Sequence, residues 1–365
     1  MHLDAQLQTL CERIPGPAEA AAAAARQRLD SLTKPRHSLG QLESLLVRLS
    51  ASTSVVCPTV NAPAVLLAAA DHGVANEGVS AYPQVVTVQM VQNFLIGGAA
   101  INALAAEAGA RIILVDAGVA GDLPNHPGLL RLGIRRGSGN IAREPAMHPD
   151  EARQAMLAGA QLVESAYTQS PGLDMLLLAD MGIANTTPTA ALTSAYTGAA
   201  PAETVGRGTG IDDAMLEQKR RVVTMALQRC GNPDRTTPAL TLLSELGGLE
   251  IAVLAGATLA AAAQRIPILL DGYITTSAAL VAAGLAPSVT THLFASHRSA
   301  EPGHRLALEH LGLTVDAGAG PLLQLDLRLG EGSGAALALP LILSATRLMR
   351  NMATFGEAGV SDRDT

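Results

Sequence analysis

The chain is short of aromatic side chains: its 365 residues include four tyrosines, three phenylalanines and no tryptophan, about 2%. Nucleic-acid binders need stacking platforms and a basic stripe. A chain of net charge −7 with so few rings has neither, so nucleic acid is excluded as a partner. An interface anchored on clustered Tyr and Trp is excluded on the same ground. Cysteine is scarce too. Cys11, Cys57 and Cys230 are odd in number and far apart, leaving no disulfide framework and no CxxC zinc site, and they fit a reducing cytoplasm. The opening MHLDAQLQTLCERIPGP has no cationic leader followed by an apolar core, so no secretion signal is expected. The longest stretches without Asp, Glu, Lys or Arg, residues 78–106 and 272–297, are broken by Pro, Gln, Asn, Thr and Ser. Both are expected to fall short of a bilayer span and to be buried, with no membrane partner.

What is present is apolar and alanine-rich: 48% hydrophobic against 16% charged, the balance of a folded chain with a substantial core. The length suggests about two domains. Residues 18–50 read as helical, with Leu42, Leu45, Leu46 and Leu49 on one face and a Pro/Gly break at LTKPRHSLG. Four short apolar runs then end in an acid or acid-His followed closely by Gly: AVLLAAADHG, RIILVDAG, DMLLLADMG and RIPILLDGY. Such runs, separated by alanine-rich helical stretches, predict a doubly covered parallel sheet. Ligands of such sheets sit at the carboxyl ends of the strands, which directs attention to Asp71-His72, Asp116, Asp180 and Asp271. Each of these acids also suits the cap of a following helix.

Four stretches combine Gly, small hydroxyl residues and few ionisable groups, a composition that lets backbone approach a phosphate: MGIANTTPTAAL, GRGTGIDDAMLEQK, SHRSAEPGH and RLGEGSGAALALP. No GxxxxGK[ST] loop, GxSxG elbow or HExxH pair occurs. In RLGEGSG, Glu331 stands between two glycines, so nothing packs on it locally and its carboxylate is free to project into a pocket as a general base. Arg328 offers a planar fork to phosphate oxygens and Lys219 a second cation. His72, His292, His297 and His304 match no metal-ligand spacing, and no metal is expected. Cys230 has one adjacent cation, Arg229, which is weak support for an activated thiolate.

Nine blocks occur in order: LTKPRHSLGQLE, ADHGVANEGVSAYPQVVTVQM, FLIGGAAINALA, MGIANTTPTAAL, GRGTGIDD, GGLEIAVLAGATLAAA, PILLDGYITTSAAL, SHRSAEPGH and LRLGEGSGAALALP. With them, from about Leu32 to Val360, the chain resembles the nicotinate-nucleotide-dimethylbenzimidazole phosphoribosyltransferases, the CobT family of cobalamin biosynthesis. The resemblance implies transfer of the phosphoribosyl group of nicotinate mononucleotide to 5,6-dimethylbenzimidazole, giving α-ribazole 5′-phosphate and nicotinate, with Glu331 as the base and inversion at C1′. It places the nucleotide near Asp180, Gly182, Lys219, Ser299, Arg328 and Gly330, and the base near Ser80, Tyr82, Pro83, Gln89 and Leu329. No metal and no cofactor are implied. The fold it implies is α/β, a Rossmann-like doubly wound parallel sheet in residues 56–335. A small helical domain is built from residues 1–55 and 336–365, and the enzyme works as a cytoplasmic homodimer. Two positions depart from the family pattern: Asp180 where Glu is common, and His37 where Gly usually precedes Ser-Leu-Gly. Another benzimidazole, a purine or a phenolic is the alternative acceptor. A metal-dependent hydrolase using Asp71, His72, His297 and His304, or a non-catalytic nucleotide sensor, are the competing classes.

Overall fold

The computed structural model describes residues 3–361. Six strands, β1 (Pro63–Ala70), β2 (Arg111–Gly118), β3 (Leu129–Arg131), β4 (Met175–Met181), β5 (Ile268–Leu270) and β6 (Leu293–Ala295), form one sheet in the order β3-β2-β1-β4-β5-β6. Every pairing is parallel. The four apolar runs of the sequence supply β1, β2, β4 and β5. The outer strands β3 and β6 are three residues each, too short for a period to register. Chain order reverses between β1 and β4, the place where sheets of this kind open a crevice.

The helices are α1 (Leu3–Glu12), α2 (Glu19–Ser31), α3 (Gln41–Thr53), α4 (Val85–Leu95), α5 (Ala100–Glu107), α6 (Pro149–Thr168), α7 (Thr186–Thr197), α8 (Pro201–Thr204), α9 (Asp213–Arg229), α10 (Ala239–Leu246), α11 (Leu249–Ala263), α12 (Tyr273–Leu285), α13 (Pro302–His310), α14 (Ser333–Asn351) and α15 (Phe355–Ala358). All eight residues of β1 are buried, which requires cover on both faces of the sheet. Helices α11 and α12 pack on one another and on the sheet, while α4, α5 and α14 supply further cover. Almost every residue of α11 is buried, as suits a helix apolar all round. Its contact with α6 is close enough to demand glycine on both sides: a Cβ on Gly256 would lie 1.8 Å from the Met156 carbonyl oxygen, and one on Gly159 1.9 Å from that of Val253.

The end of α2 meets the segment that follows α14. Leu32 bridges Thr354, and Arg28 Nη2 donates to the Met352 carbonyl at 2.9 Å. Helix α1 instead packs against α6 and α11, and α14 runs unbroken across residues 335–336. In the KPRHSLG break, Lys34 and Glu43 form a buried ion pair at 2.8 Å and His37 takes φ +63°. A glycine adopts that left-handed conformation freely, whereas a residue with a Cβ gives up about 1 kcal/mol.

One sequence expectation is corrected. Residues 85–107 are long and apolar enough, at 23 residues and mean hydropathy 1.2, to meet the length and composition of a membrane span. The chain does not use them as one rod, because α4 ends at Leu95, Gly97 turns at φ +80° and α5 begins at Ala100.

Candidate active site

All four glycine- and hydroxyl-rich stretches border one cavity of about 710 Å³ at the carboxyl ends of the central strands. Its walls come from Val79–Tyr82 after β1, Asp180–Thr186 at the end of β4, Gly272–Ile274 after β5, His297–Glu301 after β6 and the 326–331 segment leading into α14.

Acids make up one end. The turn into α14 has three consecutive left-handed residues, Gly330 (φ +79°), Glu331 (φ +62°) and Gly332 (φ +84°). Ser333 Oγ donates to the Gly330 carbonyl at 2.7 Å and draws the turn tight. A Cβ on Gly332 would meet that of Ala179 at 2.8 Å, so the turn lies directly on β4. Glu331 is 8% exposed; burial, then the charge of Asp271, raises its carboxyl to about 7. A base poised there exchanges protons efficiently near neutrality. Asp180 Oδ2 accepts from Asn185 Nδ2 at 2.9 Å, while its buried Oδ1 has no partner. Burial, then the nearby Asp271, Glu250 and Glu331, push Asp180 well above the usual carboxylate range, toward its neutral form.

The other end is cationic. Lys219, on α9, is 1% exposed and donates from Nζ to Thr186 Oγ1 at 2.6 Å and to the Gly206 carbonyl at 3.3 Å. Burial lowers it to about 8, against the pull of Glu301. It stands behind Gly208, where an added Cβ would come 3.3 Å from Nζ. The Gly208 peptide is held on both sides: Glu301 Oε1 accepts its N–H at 2.8 Å, and Arg328 Nη1 donates to its carbonyl at 2.9 Å. Ser299 N–H donates to His304 Nδ1 at 2.9 Å, and burial keeps His304 neutral at about 3. That fixes the tautomer, so Nε2–H donates to Thr276 Oγ1 at 3.0 Å.

Of the residues expected near the base, Ser80, Tyr82 and Leu329 line the cavity together with Val79, Val86 and Met90. Tyr82 is 54% exposed and presents its ring at the mouth. Pro83 and Gln89 are exposed and do not line it; on α4 the facing positions are Val86 and Met90, four apart. Among the expected nucleotide residues, Asp180, Gly182, Ser299, Arg328 and Gly330 line the cavity, with Lys219 immediately behind it. Glu301 and Thr186 were missed. Glu301 precedes Pro302 at the start of α13 and so looks like a capping acid, yet it makes no cap bond and reaches across to Gly208 instead.

The strand-end acids divide. Asp116 accepts the Val119 N–H and Asp71 that of Ala120, both structural roles, whereas Asp180 and Asp271 back the cavity. The four residues of the hydrolase alternative lie in two separate groups. His72 Nε2 pairs with buried Glu250 at 2.8 Å, while His297 and His304 stand together beyond β6. Among the described residues no three His, Cys, Asp or Glu side chains converge on a metal position. The Cys230 thiol is pushed up to about 11 by burial, and Arg229 is committed to Glu245 at 2.7 Å, so no thiolate is activated there.

A phosphoribosyltransferase family model matches residues 14–360. The nicotinate-nucleotide–dimethylbenzimidazole phosphoribosyltransferase of Chloroflexus aurantiacus is 49% identical over 344 residues, covering 94% of this chain and 95% of the relative. That of Thermus thermophilus is 50% identical over 339 residues, 93% of this chain and 98% of the relative. The crystal structure of CobT from Thermus thermophilus superposes with a TM-score of 0.88 at 49% identity, covering 94% of this chain and 99% of that one.

Proposed function

This chain belongs to the nicotinate-nucleotide–dimethylbenzimidazole phosphoribosyltransferase family, and from that premise we propose a division of labour for its cavity, with Glu331 as the base. The activity is transfer of the phosphoribosyl group of nicotinate mononucleotide to 5,6-dimethylbenzimidazole, in cobalamin biosynthesis. Glu331 takes the benzimidazole N–H proton, the ring nitrogen forms its bond to C1′, and the C1′–N bond to nicotinate breaks with its electron pair returning to the pyridine ring. Attack from the face opposite nicotinate turns the β anomer into the α anomer, and no covalent enzyme intermediate is needed. The observation that carries this reading is the geometry of Glu331, a buried carboxyl on a left-handed turn in the cavity wall, raised to about 7 by burial and by Asp271.

The 5′-phosphate belongs at the cationic end, between Arg328 and the Gly182 backbone, with Lys219 standing behind Gly208. Planar and point-charge donors there hold an anion without a metal. Asp180, as a neutral acid, donates a hydrogen bond at the nicotinate and ribose side. The base lies between Val86, Met90, Leu329 and the Tyr82 ring. Three free cysteines suit the cytoplasm as the working compartment, and exposed apolar side chains such as Ile96, 82% exposed at the end of α4, suit a homodimer. Sedimentation equilibrium checks the latter, with a single-protomer mass counting against it. The decisive test of function incubates the enzyme with nicotinate mononucleotide and a panel of benzimidazoles, purines and phenolics. A product of α configuration at the anomeric carbon, formed with release of nicotinate, is expected; only β product, or none with any base, refutes the reading.

A further inference from the structure

The turn that carries Glu331 is unfavourable by itself. Three left-handed residues in succession include one with a side chain, and nothing in GEGSG forces that shape. The force comes from β5. Asp271, 1% exposed at the end of that strand, accepts the Gly334 N–H at 2.7 Å and the Ala335 N–H at 3.0 Å on Oδ1, and the Gly332 N–H at 3.1 Å on Oδ2. It thus takes up three of the orphan donors at the start of α14 from a distant element, where a local residue would ordinarily cap them. The helix itself has no side-chain cap from Gly332. Asp271 also interacts electrostatically with His297, whose Nδ1 lies 3.1 Å from Ser296 Oγ. A Cβ on Gly334 would fall 2.0 Å from that nitrogen, so the helix start, the His297 ring and Asp271 are packed as one unit.

We propose that Asp271 is a positioning residue for the transfer reaction: by gripping the Gly332, Gly334 and Ala335 amides it holds Glu331 in its left-handed turn, aimed into the cavity. The inference rests on Glu331 being the base. Asp271 does not line the cavity and acts only through the turn and through its charge. The ionisable groups around Glu331 are Asp271 from β5, Asp180 from β4 with Glu250 of α11 behind it, His297 following β6, His304 from α13 and Arg328 on its own segment. Burial raises Asp271 above its ordinary value, and His297 and the three amides offset part of that rise. Three N–H donors at a helix N-terminus favour the carboxylate form. As an anion it opposes a second charge on Glu331 and so keeps the base from becoming too weak.

Asp271→Asn tests both effects. The Asn oxygen keeps the Gly334 and Ala335 bonds, but its NH₂ meets the Gly332 N–H donor to donor. Expected are a fall in kcat of roughly 10- to 100-fold, the scale for an ångström-level misplacement, a KM for nicotinate mononucleotide within about threefold, and an acid limb of the kcat/KM–pH profile moved below its wild-type position. On a Glu331→Gln background Asp271→Asn is expected to add no further loss. A limb that stays in place, or losses that multiply in the double variant, overturns the proposal. A merely structural role would lower the melting temperature and scale the rate without moving the limb. For the case in which the variant does not fold, ¹³C-carboxyl titration of the wild-type enzyme decides: Asp271 ionised at pH 7 beside a Glu331 titrating near 7 supports the proposal, and Asp271 protonated at pH 7 overturns it. Normal turnover in Glu331→Gln would sink the base assignment itself, whereas an inactive Glu331→Gln beside a fully active Asp271→Asn would sink only the role of Asp271.

Discussion

The two ends of the cavity are built by opposite electrostatic choices. At the α14 turn, Glu331, Asp180 and Asp271 are buried together, and burial, then the neighbouring acids, drive the Glu331 and Asp180 carboxyls toward their neutral forms. Along the 206–210 loop, Lys219 is also buried and is lowered from 10.5 to about 8, so with Glu301 and two oxygen acceptors around it, it stays mostly charged at neutral pH. Burial penalises the charged form at both ends by a similar amount; what differs is how far each group's ordinary value lies from neutrality. A group left half-titrated is suited to moving a proton, and one kept charged and hydrogen-bonded is suited to holding an anion. The pair therefore assigns chemistry to one end and anchoring to the other.

The contrast breaks most visibly at Glu331. Glu331→Gln keeps the shape and removes the base, so kcat is expected to fall by at least about 10²-fold while nucleotide binding stays largely intact. Steady-state kinetics beside calorimetric binding of nicotinate mononucleotide separate the two; a variant that loses binding and keeps turnover would reverse the assignment of the ends. In the wild-type enzyme the same carboxyl should appear as an acid limb of kcat/KM near 7, with activity rising as pH rises because the ionised form is the base. A limb near 4, the ordinary glutamate range, would mean that the acid cluster does not act on it.

Lys219→Met probes the opposite end and should show the opposite signature. Loss of charged hydrogen bonds worth roughly 1.5–3 kcal/mol predicts a KM for the nucleotide raised about 10- to 100-fold, with kcat changed much less. Met fills the same buried channel between Thr186 and Gly206, so the folded yield should hold. An effect confined to kcat would place Lys219 in the chemistry instead.

Part of this arrangement is legible in the residues alone. Glycine on either side of Glu331 marks a carboxylate with room to project, and the four glycine- and hydroxyl-rich stretches do line one cavity. The four apolar runs fix the central strands, because fully buried parallel strands need no alternation to be seen. What is not legible depends on pairs remote in sequence. Asp271 and Gly332 are 61 residues apart, and Glu301 and Gly208 are 93 apart. No local pattern links such partners, and each acid taken singly looks like a helix cap. The placing of Gln89 was illegible for a related reason: on α4 it shares a stretch with Val86 and Met90, and only the packed helix shows which of them face inward.

The finest test of the contrast is Asp180→Asn, because it should do almost nothing at neutral pH. If Asp180 already carries its proton, an amide of the same shape donates where the acid did, and turnover should stay within about threefold of wild type. Stability is more revealing. An unfolded aspartate releases its proton near 4, whereas the folded one holds it well above that range. Between those two values the folded state binds the extra proton, so this group's contribution is fully present below about 4 and is lost as pH rises through the folded value. Asn does not titrate and suffers no such loss. The difference in melting temperature, variant minus wild type, should therefore grow in the variant's favour from pH 5 to pH 8. A difference that stays flat would mean Asp180 is ionised throughout, and the acid-rich end would then need a cation that Lys219, bound to Thr186 and Gly206 at the far end, is not placed to supply.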